Sequence, residues 1–147
     1  MSKLNLPESE TSILTAIQGL GLDVYEVEMP DDKALKYNRF GKLAAPFYVV
    51  TFAGPLRTDY GDRSLSGADS DPWKNVVGVQ TYAGDTDSLR SAHSDVLDLL
   101  TGFYPDGSSE LVFGGGNSFS MASNVSRPTI YARVAFYTYS TNLTSSA

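Results

Sequence analysis

The chain contains no cysteine and only one histidine in 147 residues. Without cysteine the protein has neither disulfide bonds nor thiol chemistry, so its stability must come from packing or from association. A zinc site is implausible as well, because such sites are built mainly from cysteine and histidine. These absences exclude a disulfide-stapled scaffold and a zinc-dependent activity.

Long apolar runs are also missing. None approaches the roughly 18 residues that a membrane-spanning helix needs, and the first ten residues lack the apolar segment of a signal peptide. We therefore expect a soluble protein made in the cytoplasm, with no membrane partner. Basic residues are few, 11 Lys and Arg against 17 Asp and Glu, and they are scattered along the sequence. The net charge of −6 argues against a nucleic-acid clamp, which requires a basic face.

No catalytic constellation is found in the sequence. The single histidine, His93, lies on the apolar stripe of a predicted helix, which favours packing or an interface over catalysis. Asp69-Ser70-Asp71 lacks the spacing and the glycine of a calcium-binding EF-hand loop and is interpreted as a solvated turn. Gly114-Gly115-Gly116-Asn117 is not followed by the lysine of a phosphate loop, so we predict a flexible hairpin tip or hinge. We predict no enzyme activity, catalytic residue, cofactor or metal.

The stretch from Trp73 to Leu100 predicts a strand, a tight turn and an amphipathic helix. Asn75 to Ala83 is rich in Val, Thr and Tyr, which fit a pleated, half-buried surface. Gly84 permits a sharp turn, and Asp85 or Thr86 offers an oxygen to the first free N–H groups of the helix. A single stripe at helical spacing must then pack on the sheet. It consists of Leu89, Ala92, His93, Val96, Leu97 and Leu100.

The remaining patterns predict one α+β domain over residues 1–147. We expect two layers: a mixed, mostly antiparallel sheet of about four to five strands, with two helices packed on one face. The first helix is predicted from Glu8 to Leu20, and residues 141–147 are predicted to be a flexible tail. The further strands are predicted at Val24–Glu28, Phe47–Phe52, Glu110–Phe113 and Arg127–Ser140.

The strand Phe47–Phe52 is apolar at consecutive positions, which indicates that both of its faces are covered. A monomer of this size supplies a second cover with difficulty, so the pattern suggests a partner. The last strand alternates instead. Ile130, Ala132, Val134 and Phe136 are predicted to face the core. Tyr131, Arg133, Tyr137 and Tyr139 are predicted to form an exposed Tyr/Arg surface of the kind enriched at protein interfaces.

The order of these features resembles the tail terminator (tail completion) proteins of long-tailed, siphovirus-type bacteriophages. Those proteins combine a helix, a Pro-aromatic-Val-Val strand, an irregular loop with Asp-Arg and Leu-x-Gly, a Val-Gln strand, a Gly-Asp/Arg-Thr turn and an amphipathic helix. The resemblance covers about Leu14 to Leu100 well and the last third loosely. The matching pieces here are Val24-Tyr25, Pro46-Phe47-Tyr48-Val49-Val50, Asp62-Arg63-Ser64-Leu65-Ser66-Gly67, Val79-Gln80, Gly84-Asp85-Thr86 and the helix to Leu100.

This resemblance implies a structural virion protein at the junction of tail and neck, assembled in the host cytoplasm. It implies a homo-hexameric ring that caps the tail tube, stops its polymerisation and joins it to the head–tail connector proteins, while genomic DNA passes through the lumen without specific binding. A head-to-tail ring needs two different complementary faces on each subunit. The candidate interface residues are Arg57, Tyr60, Asp62, Arg63 and Leu65 in the loop Leu56–Pro72, and Tyr131, Arg133, Tyr137 and Tyr139 in the last strand.

Two alternative interpretations stay open. One is another neck or tail role, such as a head–tail connector or the tube subunit, which would polymerise into long filaments instead of one ring. The other is a small acidic ligand-binding or enzymatic α/β domain, which predicts a monomer or dimer with a concave pocket.

Overall fold

A computed structural model describes residues 2–4, 6–31, 35–57, 72–122 and 128–145. Within these ranges the α+β class is confirmed: a mixed, mostly antiparallel sheet carries two helices on one face. The strands are β1 (Ser2–Leu4), β2 (Asp23–Glu26), β3 (Phe47–Arg57), β4 (Pro72–Ala83), β5 (Val112–Met121) and β6 (Ile130–Ser145), and the helices are α1 (Leu6–Gln18) and α2 (Thr86–Leu100).

The sheet is built around β6. Along the order β1-β6-β4-β3-β2 each strand pairs with the next, and β5 pairs with β6 as well. Only β2 and β3 run parallel, and the other described pairs are antiparallel. The β4–β6 register continues without a shift from Pro72 opposite Asn142 to Ala83 opposite Tyr131. A long and regular β4–β6 ladder therefore forms the centre of the sheet.

The main core lies between the sheet and the two helices, as the apolar stripes predict. Ile13 and Ile17 of α1 and Val96 and Leu100 of α2 are fully buried in this core. They pack on alternate residues of the strands, whose side chains point to one face of the sheet. These are Tyr48 and Val50 of β3, Val77 and Val79 of β4, and Ala135, Tyr137 and Tyr139 of β6.

Helix α2 begins and ends as predicted. The Asp85 side chain caps it by accepting a hydrogen bond from the Ser88 backbone N–H at 2.7 Å. That backbone N–H, together with the Ser88 hydroxyl and the charge of Lys42, outweighs partial burial and lowers the pKa of Asp85. At the other end the Thr101 N–H donates to Leu97, and Gly102 turns the chain away with a φ of +85°.

The second cover of β3 comes from the chain itself, so the apolar run of this strand does not require a partner. Phe47, Tyr48, Val49 and Val50 are all buried, as predicted for a strand covered on both faces. On the face away from the helices, Leu35 and Leu43 pack on Phe47 and Val49 in a second core. Because residues 31–43 are mostly polar, these two leucines were not recognised in the sequence as the cover for that end of the sheet.

Several boundaries differ from the predictions. Strand β3 continues through Gly54 and Pro55 to Arg57, with a register shift between Ala53 and Leu56 that absorbs the turn-forming residues. Strand β6 continues through Thr141 to Ser145, where a loose tail is predicted, because Leu143, Thr144 and Ser145 pair with the unpredicted strand β1. Residues 114–117 belong to β5 and are paired with β6, so the predicted flexible tip is wrong.

Candidate assembly surface

The predicted exposed Tyr/Arg surface of β6 is wrong at Tyr137 and Tyr139. Tyr137 and Tyr139 are 0% and 3% exposed, because their face of β6 points to the helices. The Tyr137 hydroxyl lies 3.1 Å from the Thr101 hydroxyl, and Tyr139 hydrogen-bonds with Ser9. Burial raises the pKa of both phenols. The alternation of side chains along β6 was predicted correctly. The row that faces the helices was predicted wrongly, because both rows of β6 carry large side chains.

The other predicted interface residues have mixed outcomes. Tyr131 and Arg133 are half-buried and lie at the β5 side of the sheet, so contact with a partner there stays a prediction. Arg57 is the last residue of β3. Tyr60, Asp62, Arg63 and Leu65 lie outside the described residues, as does Asp69-Ser70-Asp71.

Strand β5 is the most exposed regular element of the described chain. It pairs with β6 along its whole length, and no described strand pairs with its other edge. Its ten residues contain no charge and no proline, which are two of the features with which proteins protect an edge strand. Val112, Phe113 and Phe119 are 58%, 47% and 39% exposed. An edge of this length and composition favours pairing with another chain.

The three glycines of β5 shape this edge. A register shift between Phe113 and Gly115 places Gly115 at a φ of +116°, which side-chain-bearing residues rarely adopt. A Cβ on Gly116 would collide with the Val134 carbonyl of β6. The shift also reverses the alternation of side chains, so that Phe113 lies on the helix side, 5.5 Å from the Tyr137 ring, while Phe119 lies on the opposite side.

On the face away from the helices, an aromatic row crosses the sheet and ends at Phe119. The Tyr25 and Phe47 ring centroids are 5.6 Å apart, those of Phe47 and Tyr82 5.1 Å, and those of Tyr82 and Phe119 6.1 Å. Edge-to-face and stacked pairs at such distances add about 0.5–1.5 kcal/mol each beyond area burial. The row therefore ties the half-exposed Phe119 firmly to the sheet.

A cavity of about 370 Å³ opens between the first turns of α2 and the β5–β6 pair. Arg90 of α2 and Arg133 of β6 line it, and we call it the arginine pocket. Its other polar lining consists of the hydroxyl-bearing residues Thr86, Ser118, Ser120 and Tyr131. Guanidinium and hydroxyl donors around one concavity suit a carboxylate or another oxyanion.

The charges around the arginine pocket are only partly compensated. Arg90 forms an exposed 3.0 Å ion pair with Asp87, whereas Arg133 has no carboxylate partner within the described ranges. A second cavity of about 390 Å³ shares Thr86 and Tyr131 with the first and is lined by Lys42 together with Asp85. The fold thus gathers basic residues that are scattered along the sequence.

His93 lies on the buried stripe of α2, as predicted, at 5% exposure. Burial, with a smaller contribution from the positive charge of Arg133, lowers its pKa. Its Nδ1 atom is buried and has no hydrogen-bond partner in the described part of the chain. A neutral imidazole in the core is therefore the favoured state.

Acidic residues gather at the opposite edge of the sheet. Asp23 and Glu26 are exposed on β2, Glu28 follows it, and Glu10 of α1 is half-buried nearby. Burial, with a smaller contribution from the charge of Glu26, raises the pKa of Glu10, as expected for a carboxylate that lies near another. We call these four residues the acidic edge.

Sequence reasoning missed the arginine pocket because it forms only in the tertiary structure, and it missed that the fold adds Glu10 to the carboxylates of the β2 segment. A signal for the open strand was present, since residues 111–126 carry no charge. Within the described ranges no group of His, Asp and Glu is arranged to hold a metal ion.

Neither described helix combines the length and the apolar character needed to cross a membrane. Comparison with known proteins gives no matching family model and no curated protein of significant similarity.

Proposed function

We propose that the chain is a structural subunit of a bacteriophage tail, which forms a ring that caps the tail tube, stops its polymerisation and joins it to the head connector. The ordered set of sequence features that resembles the tail terminators supports this proposal. The structural observation that carries it is a sheet with two dissimilar edges, β5 and β2, neither of which is covered by a further described strand.

The two edges suit a head-to-tail contact. One edge is the ten-residue, uncharged strand β5, and the other is the four-residue, acidic strand β2. Identical contacts repeated around a ring join two different surfaces of each subunit, and the ring closes when the rotation between neighbours fits. An edge that met only its own copy would give a twofold pair instead.

The net charge is compatible with a DNA conduit. Six copies at −6 each carry a formal charge of about −36. An acidic lumen repels the phosphate backbone, so DNA passes without adhering. The basic residues of the arginine pocket lie between α2 and β5, where a subunit contact would withdraw them from the lumen.

Native mass spectrometry of the purified protein across concentration, with negative-stain images of the same samples, tests this function. A discrete hexamer with sixfold rings and no filaments is expected. Long tubes would instead identify a tube subunit. A chain that stays monomeric at every concentration, and also fails to bind the end of isolated tail tubes, would refute the ring.

The contribution of β5 can be tested with uncharged substitutions. Phe113→Ser combined with Phe119→Ser removes apolar side chains from the open edge and is expected to weaken the ring about tenfold or more. Tyr104→Ser is the matched control, because Tyr104 is 65% exposed and lies outside β5. Thermal unfolding of each variant separates loss of assembly from loss of folding.

A further inference from the structure

The arginine pocket and the acidic edge lie at opposite edges of the same sheet. Helix α2 packs on β4 and β6, and the arginine pocket opens between its first turns and β5. Helix α1 contacts β2, and the acidic edge lies there. Each subunit therefore carries two arginines at one edge of the sheet, of which Arg90 is paired with Asp87, and four carboxylates at the other edge.

We propose that the arginine pocket of one copy receives the acidic edge of the next copy, with Arg133 facing Glu26 and Glu10 across the contact. This inference rests on the proposed ring and names the surfaces that build it. The occupant is a second copy of the chain, because the charge on β2 complements the charge in the pocket and both adjoin open sheet edges.

Arg133 is the centre of the proposed contact. It is half-buried, and no described carboxylate neutralises it. A guanidinium can form two parallel N–H···O bonds with one carboxylate, and these bonds give the contact its direction. Arg90 is a weaker contributor, since Asp87 already pairs with it.

The same contact would also stabilise the carboxylates of the acidic edge. Glu10 and Glu26 repel each other in the isolated subunit, and an arginine placed between them would relieve that repulsion. Lys36 lies near Asp23 in the neighbouring groove, so Glu10 and Glu26 are the less compensated carboxylates of the edge. Each copy has a net charge of −6, so two copies repel each other overall. A local pair of opposite charges is therefore needed to fix how the copies meet.

The test is a charge-swap series measured by native mass spectrometry and analytical ultracentrifugation. Arg133→Glu and Glu26→Arg are each expected to weaken ring formation about 100-fold, because each places like charges across every contact. The double variant carries both reversals in one chain and is expected to recover rings to within about tenfold of the wild type. Such recovery excludes misfolding as the cause of the single losses.

Matched controls use the same charge changes elsewhere. Lys74→Glu on β4 and Asp98→Arg on α2 alter exposed residues away from both regions and are expected to leave assembly unchanged. Raising the salt from about 0.05 M to about 0.5 M is expected to weaken the wild-type ring about tenfold and the Arg133→Gln variant much less.

The outcomes separate this inference from the proposed function. Rings that persist unchanged in Arg133→Glu and Glu26→Arg would overturn the charge contact while leaving the ring intact. If Arg133→Glu abolished calorimetric binding of inorganic phosphate but not ring formation, the pocket would be a small-anion site and the inference would fall. A wild-type chain that forms no ring at any concentration and also fails to bind the ends of isolated tail tubes would overturn both proposals.

Discussion

The interior beneath the helices and the β5 edge are built from the same residue types and differ in how completely they are covered. In the interior, Tyr48, Tyr137 and Val79 are fully buried, and the Tyr48 hydroxyl donates to the Ala92 carbonyl at 2.8 Å. At the edge, Phe113 and Phe119 stay half-exposed. Aromatic content alone therefore does not distinguish a core from an exposed sheet edge. The register of each strand does.

Replacing one residue on each side of β6 gives the sharpest test of this difference. Tyr137→Ser empties a fully buried site and is expected to lower the free energy of unfolding by about 3–5 kcal/mol. Phe136→Ser, the adjacent residue on the other face, is 43% exposed and is expected to cost about 1 kcal/mol. Urea unfolding followed by circular dichroism measures both. Equal costs would mean that the two faces of β6 are not covered as unequally as described.

The second test acts on the edge itself. Gly116→Ala introduces a Cβ that meets the Val134 carbonyl, so β5 must move away from β6, at an expected cost of about 2–3 kcal/mol. In Gly114→Ala the new Cβ meets only the Phe136 carbonyl, at 3.5 Å, and the expected change is within about 0.5 kcal/mol.

Amide hydrogen exchange locates the effect of these glycine variants. Faster exchange in Gly116→Ala should be confined to β5 and the facing part of β6, with the β3–β4 ladder unchanged. Uniform protection in both variants would show that the edge tolerates the substitution without detaching.

The sequence predicts the helix layer well because its signals are local. The stripe of α2 and its cap at Asp85 each depend on residues within a few positions of one another. The same holds for the buried strand at Phe47 to Val50. These features made the α+β class predictable.

What failed depended on long-range placement. Strand β6 has apolar or aromatic residues on both faces, so alternation alone could not tell that Tyr137 faces the helices. The glycines of β5 are typical of a turn, and only the close approach to Val134 shows why a strand needs them. The arginine pocket joins residues that are more than forty positions apart, which no local pattern indicates.

A third test removes single hydroxyl groups from the two regions. Tyr48→Phe deletes the buried hydrogen bond to Ala92 and is expected to lower the free energy of unfolding by about 1 kcal/mol. Burial, together with the charge of Asp95, raises the pKa of Tyr48 to about 12, consistent with a phenol that stays protonated. Tyr104→Phe removes an exposed hydroxyl and should leave stability unchanged. A stability loss in both variants would remove the distinction between them.

The smallest expected effect is a pH dependence of the free energy of unfolding, which arises because His93 is buried in the interior. Its pKa in the folded protein is lowered from 6.5, so near that pH the unfolded chain binds more protons than the folded one. The stability contributed by the neutral imidazole is therefore present above about pH 6.5 and is lost as the pH falls below it.

Unfolding free energies measured from about pH 8 to pH 5.5 should decline in the wild type and stay flatter in His93→Leu. Because Glu10 has a raised pKa, its contribution grows as the pH falls and opposes this decline, so Glu10→Gln should make the decline steeper. Equal slopes in the wild type and His93→Leu would show that His93 is as accessible to protons in the folded protein as in the unfolded chain.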